Sequence, residues 1–155
     1  MLEIGTIRTP FTELEDMPIQ PRGGSGIVGE VIVKEQYAAG LADLEGFSHI
    51  YLLYRFHRAR RVELKVVPFM DRVLRGVFAT RSPLRPNHIG LSLVELLLVE
   101  GARLKIRNLD ILDNTPLLDI KPYIEQFDKI ENATSGWMNG GGNDVEHKRS
   151  DGRFT

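Results

Sequence analysis

The chain has no cysteine in its 155 residues. That absence excludes a disulfide framework, a thiolate zinc site, an iron–sulfur cluster and a cysteine nucleophile. Long apolar runs are also missing: no window reaches the ~18 uninterrupted apolar residues of a membrane-spanning helix. The start, Met1-Leu2-Glu3-Ile4-Gly5, carries neither a basic stretch nor an apolar signal core, so a cytoplasmic protein is expected. The four histidines, His49, His57, His88 and His147, lack helical i, i+4 spacing and an accompanying carboxylate cluster, so no metal is expected. No G-x-S-x-G elbow and no Walker lysine occurs. Gly24-Ser25-Gly26-Ile27-Val28-Gly29 matches the dinucleotide fingerprint in letters only. That fingerprint needs a strand before it and a helix after it, whereas Gln20-Pro21-Arg22-Gly23 precedes it and a strand-like Glu30–Lys34 follows.

Net charge is nearly absent as well, with 20 Lys+Arg against 21 Asp+Glu. The balance hides a strong asymmetry. Tyr51 to Gly90 holds nine basic residues against Glu63 and Asp71, a local +7, which leaves −8 for the rest. Arg55, Arg58, Arg60 and Arg61 crowd into seven residues. Guanidinium forks suit phosphate oxygens, so the cluster fits a nucleic-acid backbone. It fits equally a solvated loop paired to acids elsewhere.

What is present is ordinary for one soluble domain: 42% hydrophobic and 26% charged residues. A chain of this length buries roughly 70% of its unfolded surface, enough for one core. Alternation and β-branched content mark strands at Leu2–Arg8 and Val28–Lys34. Further strands are expected at Phe47–Phe56, Val62–Val67, Gly76–Thr80, Leu91–Val99 and Arg103–Ile106. The leucines of Ser92–Val99 fit a helical period equally well. Glu35–Leu44 has room for a pair of helical turns, and Glu13–Gly26 has no period and reads as loop. Leu109–Leu112 and Leu117–Ile120 are short apolar pieces around an Asp-Asn-Thr-Pro turn. Many short strands with few helical patterns predict a mainly β protein, a small antiparallel barrel or sandwich. One domain over residues 1–131 is expected, with a Gly/Asn-rich C-terminal tail over 132–155 that becomes mobile from Asn143.

The segment Gly76–Ser92 departs from generic patterns. A strand-like start runs into a loop holding Arg81, Pro83, Arg85, Pro86, Asn87 and Gly90. Prolines fix φ and lower the entropy of the free loop, so such a loop can hold polar side chains in set directions for a small ligand. A rigid turn with no ligand explains the prolines too.

This segment, Gly76-Val77-Phe78-Ala79-Thr80-Arg81-Ser82-Pro83 through Arg85-Pro86-Asn87 to Ile89-Gly90-Leu91-Ser92-Leu93-Val94-Glu95-Leu96, resembles the signature of the TsaA-like, or YaeB-like, β-barrel family typified by tRNA methyltransferase O. Ile4–Phe11, Leu44–Ile50 with Phe56-His57, and Leu109–Tyr123 resemble further motifs of that family, in order, over residues 4 to about 126. The resemblance implies a small β-barrel working as a homodimer with S-adenosyl-L-methionine. It implies methylation of N6 of threonylcarbamoyladenosine at position 37 of tRNA. Cofactor contacts carried over are Pro21, Arg22, Gly23, His57, Arg58, Arg81, Leu91, Asn114, Thr115, Pro116 and Leu117. Asp113 is the candidate to accept a proton or orient the acceptor nitrogen, and it serves equally as an Asx-turn cap. Asn87 either meets the cofactor or closes its own loop. With the resemblance in hand, Arg55, Arg58, Arg60, Arg61 and Arg85 become candidates for the tRNA backbone. Two positions depart from the family: His88 stands where proline is usual and Asn114 where glycine is common. Other readings of the same barrel are a different RNA or small-molecule acceptor, and a non-catalytic dimer binding an adenosyl ligand.

Overall fold

The computed structural model describes residues 1–18, 25–69 and 71–139. Its strands are β1 (Gly5–Arg8), β2 (Val28–Val33), β3 (His49–Arg55), β4 (Lys65–Val66), β5 (Arg75–Gly76), β6 (Ile89–Glu100), β7 (Arg103–Arg107) and β8 (Thr115–Pro122), followed by one short helix, α1 (Glu125–Asp128). Six strands close into an antiparallel barrel in the order β1–β2–β7–β6–β3–β8, while β4 and β5 form a separate two-stranded ribbon. The fold is therefore mainly β, a small antiparallel barrel with few short helices. Closure removes the free sheet edges that would otherwise need protection.

Side-chain alternation explains the strands. β3 turns Ile50, Leu52 and Tyr54 inward, and β6 turns Gly90, Ser92, Val94 and Leu96 inward. This period of two decides between strand and helix for the leucine run. A bulge between Leu96 and Leu98 breaks the alternation against β7 and leaves Leu97 and Leu98 exposed. Ile7, Val31, Ile50, Leu52, Val94, Leu104, Ile106 and Leu117 are wholly buried within the barrel. Each contributes roughly 1.5–3 kcal/mol through removal of its apolar surface from water. Leu109 and Ile111, between β7 and β8, and Leu41 and Leu44, from the 3-10 turns Glu35–Leu41 and Leu44–Gly46, join the same core.

The expected strands Val62–Val67 and Gly76–Thr80 shrink to two-residue pairings, Lys65 with Gly76 and Val66 with Arg75. Val77–Ala79 instead forms a 3-10 turn, and the Val77 carbonyl accepts both the Thr80 amide, at 3.1 Å, and the Thr80 hydroxyl, at 2.8 Å. Val77 packs with Val66 and Leu84 in a second small core beside the barrel. Burial of Val77 there, rather than in the sheet, ends the strand.

Part of the expected tail is ordered against this ribbon. Gly136–Met138 makes a 3-10 turn. The Trp137 indole N–H donates to the Ala79 carbonyl at 2.8 Å, and the Arg75 guanidinium lies 5.4 Å from the ring centroid. Arg75 is itself held by Asp71 at 2.6 Å. Residues 140–155, including the stretch expected to be mobile, lie outside the described residues. Among the described residues no helix is long and apolar enough to cross a membrane.

Candidate functional site

Strand pairing brings four segments to one mouth of the barrel: the end of β1, the end of β3, the start of β6 and the start of β8. The β3–β8 register shifts after Leu53, so Tyr54 meets Leu117 rather than continuing the earlier ladder. Such bulges bend a strand and redirect side chains at barrel rims.

The loop Leu109–Asn114 is the hub of this mouth. Asp113 Oδ1 accepts from Arg8 Nε and from the Thr9 amide, both at 2.9 Å, and its Oδ2 accepts from Asn114 Nδ2 at 3.1 Å. The Asp113 amide donates back to the Phe11 carbonyl at 2.8 Å. Burial alone would raise the pKa of Asp113, but the Thr9 amide and Arg8 more than offset it and hold the carboxyl below its ordinary value. As placed, Asp113 is an ionised anchor tying β1 to this loop, with its oxygens already engaged. Asn114 takes φ 60°, a left-handed conformation that asparagine tolerates better than most residues, so the turn is made without glycine.

Thr115, buried at the start of β8, donates its hydroxyl to the Leu112 carbonyl at 2.6 Å. Its oxygen lies 3.4 Å from His57 Nδ1. Burial pushes the His57 pKa down, and the neighbouring charges of Arg58 and Arg55 push it further in the same direction. His57 is thus neutral near pH 7. Pro116 is half-buried, and the Leu117 side chain is wholly within the core, so Leu117 faces a ligand only through its backbone.

A polar chain lies beside this hub. The Tyr54 hydroxyl meets Ser92 Oγ at 3.0 Å, and Ser92 Oγ donates to Asp110 Oδ1 at 2.6 Å. Burial pushes the Asp110 carboxyl up to about 6, against the opposing pull of Ser92 and of Arg81. Tyr54 is pushed up too, by burial first and by Asp110 second. Sequence reasoning assigned none of these three residues a role. The available signal was Tyr54 and Ser92 at inward positions of apolar strands, while Asp110 stands in the loop after β7.

The proline-bearing loop is closed on itself. Arg85 Nη1 donates to the Thr80 carbonyl at 3.1 Å, the His88 ring meets the Pro83 carbonyl at 2.8 Å, and the His88 amide donates to the Arg85 carbonyl at 3.0 Å. His88 adopts φ 50°, which proline cannot reach. Its ring bond replaces ring closure as the source of rigidity. Arg85, expected on the nucleic-acid side, therefore braces its own loop. Arg81 and Asn87 are exposed on the same loop. Leu91 is 53% exposed on the outer face of β6, opposite Leu53 of β3.

Of the arginine cluster, Arg55 pairs with Glu3, Arg58 lies 3.6 Å from Glu13, and Arg61 lies 3.1 Å from Glu63. Arg58 also donates to the Thr12 carbonyl at 3.2 Å. These arginines and Arg60 are all exposed. Exposed ion pairs are worth about 0–1 kcal/mol, so a phosphate can displace the acid at little cost. Pro21, Arg22 and Gly23 lie outside the described residues. The mouth thus gathers His57, Arg58, Asp113, Asn114 and Thr115, while Leu91 faces outward. Among the described residues no group of three or more His, Asp or Glu side chains is placed to hold a metal ion.

A Pyrococcus abyssi relative described as a "Probable S-adenosyl-L-methionine-binding protein" is 50% identical over 97% of this chain and 82% of its own length. The tRNA (adenine(37)-N6)-methyltransferase of Escherichia coli is 37% identical over 87% of this chain and 62% of its own. The crystal structure of TrmO from Pseudomonas aeruginosa superposes with a TM-score of 0.73 at 37% identity, covering 87% of this chain and 60% of that one. The chain thus spans about three-fifths of these last two proteins. The tRNA-methyltransferase O N-terminal domain family matches residues 6–129, the stretch that contains the barrel and the loops at its mouth. The chain belongs to the tRNA-methyltransferase O N-terminal domain family.

Proposed function

We propose that this chain is a cytoplasmic, S-adenosyl-L-methionine-dependent methyltransferase that methylates N6 of threonylcarbamoyladenosine at position 37 of tRNA. One observation carries the reading: motifs far apart in sequence meet at a single barrel mouth, in a chain 37% identical to a tRNA (adenine(37)-N6)-methyltransferase. The donor set fits the cofactor. A sulfonium is cationic, and this mouth sets a His57 held neutral beside Thr115. The backbone carbonyls of Asn114 to Leu117 are the groups assigned to face that positive centre, and Arg81 is assigned to the cofactor carboxylate. His57, Arg58, Leu91 and the Pro21-Arg22-Gly23 loop complete the proposed contacts.

When bound, the cofactor supplies an electrophilic methyl group. The residues then act by alignment and exclusion of water rather than by metal or thiol chemistry. Asp113 orients its loop, and Asn87 stands exposed where it can meet cofactor or acceptor. Arg55, Arg58, Arg60 and Arg61 are assigned to the tRNA backbone, with Arg85 acting behind them through its loop.

A homodimer is part of the proposal. The outer face of β3 and β6 presents an exposed Leu91 beside Leu53 and Ile89, next to a groove that Met1 and Leu2 line. Pairing two copies over this face covers the leucines and brings Leu91 into the cofactor site. The decisive experiment incubates the protein with S-adenosyl-L-methionine and tRNA with or without the threonylcarbamoyl group, then analyses nucleosides by mass spectrometry. The expected gain is one methyl group on the modified nucleoside alone. A protein that binds the cofactor yet leaves modified tRNA unchanged has another acceptor or none.

A further inference from the structure

We propose that Trp137 is a positioning residue for the proline-bearing loop. The segment after β8 acts as a strap along the barrel, and its indole clasps the root of that loop. The inference rests on the reading of the loop as a cofactor contact. The clasp lies beyond residue 129, where the family match ends.

The strap has a fixed start. Pro122 of β8 pairs with Ile50 near the beginning of β3, at the barrel end opposite the mouth. Next along the chain, the Tyr123 amide donates to the His49 carbonyl at 3.0 Å, and its ring lies 6.0 Å from that of Tyr51. Residues 125–136 are then exposed throughout, and Trp137 is the first side chain to be partly covered again. Its end is shaped as well. The Ser135 amide donates to Asn139 Oδ1 at 2.9 Å, and the Met138 amide donates to the Ser135 carbonyl at 3.0 Å. Gly136 takes φ 55°, a left-handed conformation suited to glycine. This closed turn presents the indole to the Ala79 carbonyl, 58 positions away in sequence.

The landing place is built to receive it. Asp71 Oδ1 accepts the Arg72 and Val73 amides, and its Oδ2 accepts Arg75 Nε at 2.6 Å. Arg75 is thereby held with its guanidinium over the indole ring. An indole has one N–H to donate, and Trp137 uses it on Ala79, at 2.8 Å. Thr80 follows directly: its hydroxyl oxygen accepts the Ser82 amide at 3.2 Å, and its carbonyl accepts Arg85 Nη1 at 3.1 Å. The clasp thus reaches, contact by contact, the residues on both sides of Arg81. The small core under this loop consists of Val66, Val77 and Leu84 among the described residues. So little buried surface protects a loop weakly against local opening. The strap supplies the missing restraint, and a loop held in its binding conformation loses less entropy when a ligand arrives.

The test is amide hydrogen exchange on the full chain, without ligand. In Trp137→Ala, exchange at Thr80, Ser82 and His88 should quicken about tenfold, while Leu52 and Val94 in the barrel keep their native rates. Trp137→Phe keeps a ring under Arg75 and loses only the N–H, so its effect should fall between. Unchanged loop amides in both variants, or equal acceleration in the barrel, would overturn the proposal. Calorimetry gives the functional readout: Trp137→Ala should raise the Kd for S-adenosyl-L-methionine about fivefold. With modified tRNA as acceptor, the loss should fall on the cofactor KM and leave kcat at saturation within about twofold. A native Kd beside a loosened loop, or a loss confined to kcat, would show that the clasp positions nothing for the ligand. If the native chain binds no cofactor, the proposed function falls, and hydrogen exchange alone decides whether Trp137 orders the loop.

Discussion

Asp110 and Asp113 lie three positions apart in one loop, yet their surroundings treat them oppositely. Asp113 is stabilised as an anion, so its contribution to stability is present above the ordinary aspartate pKa of about 3.9 and disappears as pH falls through its lowered folded value. Asp110 is pushed up to about 6, so between about pH 4 and 6 the folded chain keeps a proton that the unfolded chain has released. Stability therefore declines as pH rises across that window. Asp110→Asn should abolish the decline and make the protein more stable at pH 7.5, by up to about 3 kcal/mol. Urea unfolding at pH 4.5 and 7.5 checks this, and an unchanged pH profile would contradict the environment described for Asp110. The two aspartates look alike as letters in Leu-Asp-Ile-Leu-Asp. What separates them is their partners in space: Arg8 and the Thr9 amide for Asp113, and the inward Ser92 of β6 for Asp110. The Asp-Asn-Thr-Pro turn draws attention to Asp113 in the sequence, whereas nothing in the letters marks Asp110, whose burial comes from the fold.

Elements owe their limits to where individual side chains find burial. The leucines of β6 fitted two periods, and the inward Gly90, Ser92, Val94 and Leu96 show that the barrel chose the shorter one. Residues 76–80 read as a strand, but Val77 is buried with Val66 and Leu84 outside the barrel, and the chain coils to reach them. No periodicity in five residues encodes that second core. Gly90 is the clearest single dependency of β6. Gly90→Ala places a methyl group inside the space of the Tyr54 ring, so a loss of about 1–3 kcal/mol is expected, together with a disturbed Tyr54–Ser92 bond. Thermal unfolding measures the first effect and the Tyr54 ring NMR shifts report the second. A variant with native stability and native shifts would mean that the ring can move aside.

At the scale of the whole molecule, closure of six strands turns distant motifs into one mouth, something the order of motifs hinted at and only pairing could specify. The local +7 found in the sequence maps to the stretch that leaves the barrel and returns, with Arg58, Arg60 and Arg61 exposed along it. If these arginines neutralise phosphates, tRNA affinity falls linearly in logarithmic salt concentration. Replacing Arg60 by alanine should then reduce the slope by about 1, as measured by filter binding between 50 and 200 mM salt, on the order of the range where such contacts show. A salt-independent affinity would return the cluster to pairing with Glu3, Glu13 and Glu63. The proposed dimer makes its own demand. Leu91→Glu puts a charge on the outer leucine face and should shift the protein to monomer in sedimentation velocity; a native chain already monomeric at micromolar concentration would remove the shared site.

Trp137 is the single tryptophan of the chain, and its indole rests on the Ala79 carbonyl under the Arg75 guanidinium, two residues along the backbone from Arg81. The protein thus carries a built-in fluorophore on the very segment that the signature loop springs from. Its emission reports that segment without dye or label. Quenching or a wavelength shift on adding cofactor or tRNA would give affinities directly, and stopped-flow traces would time the order in which the two arrive.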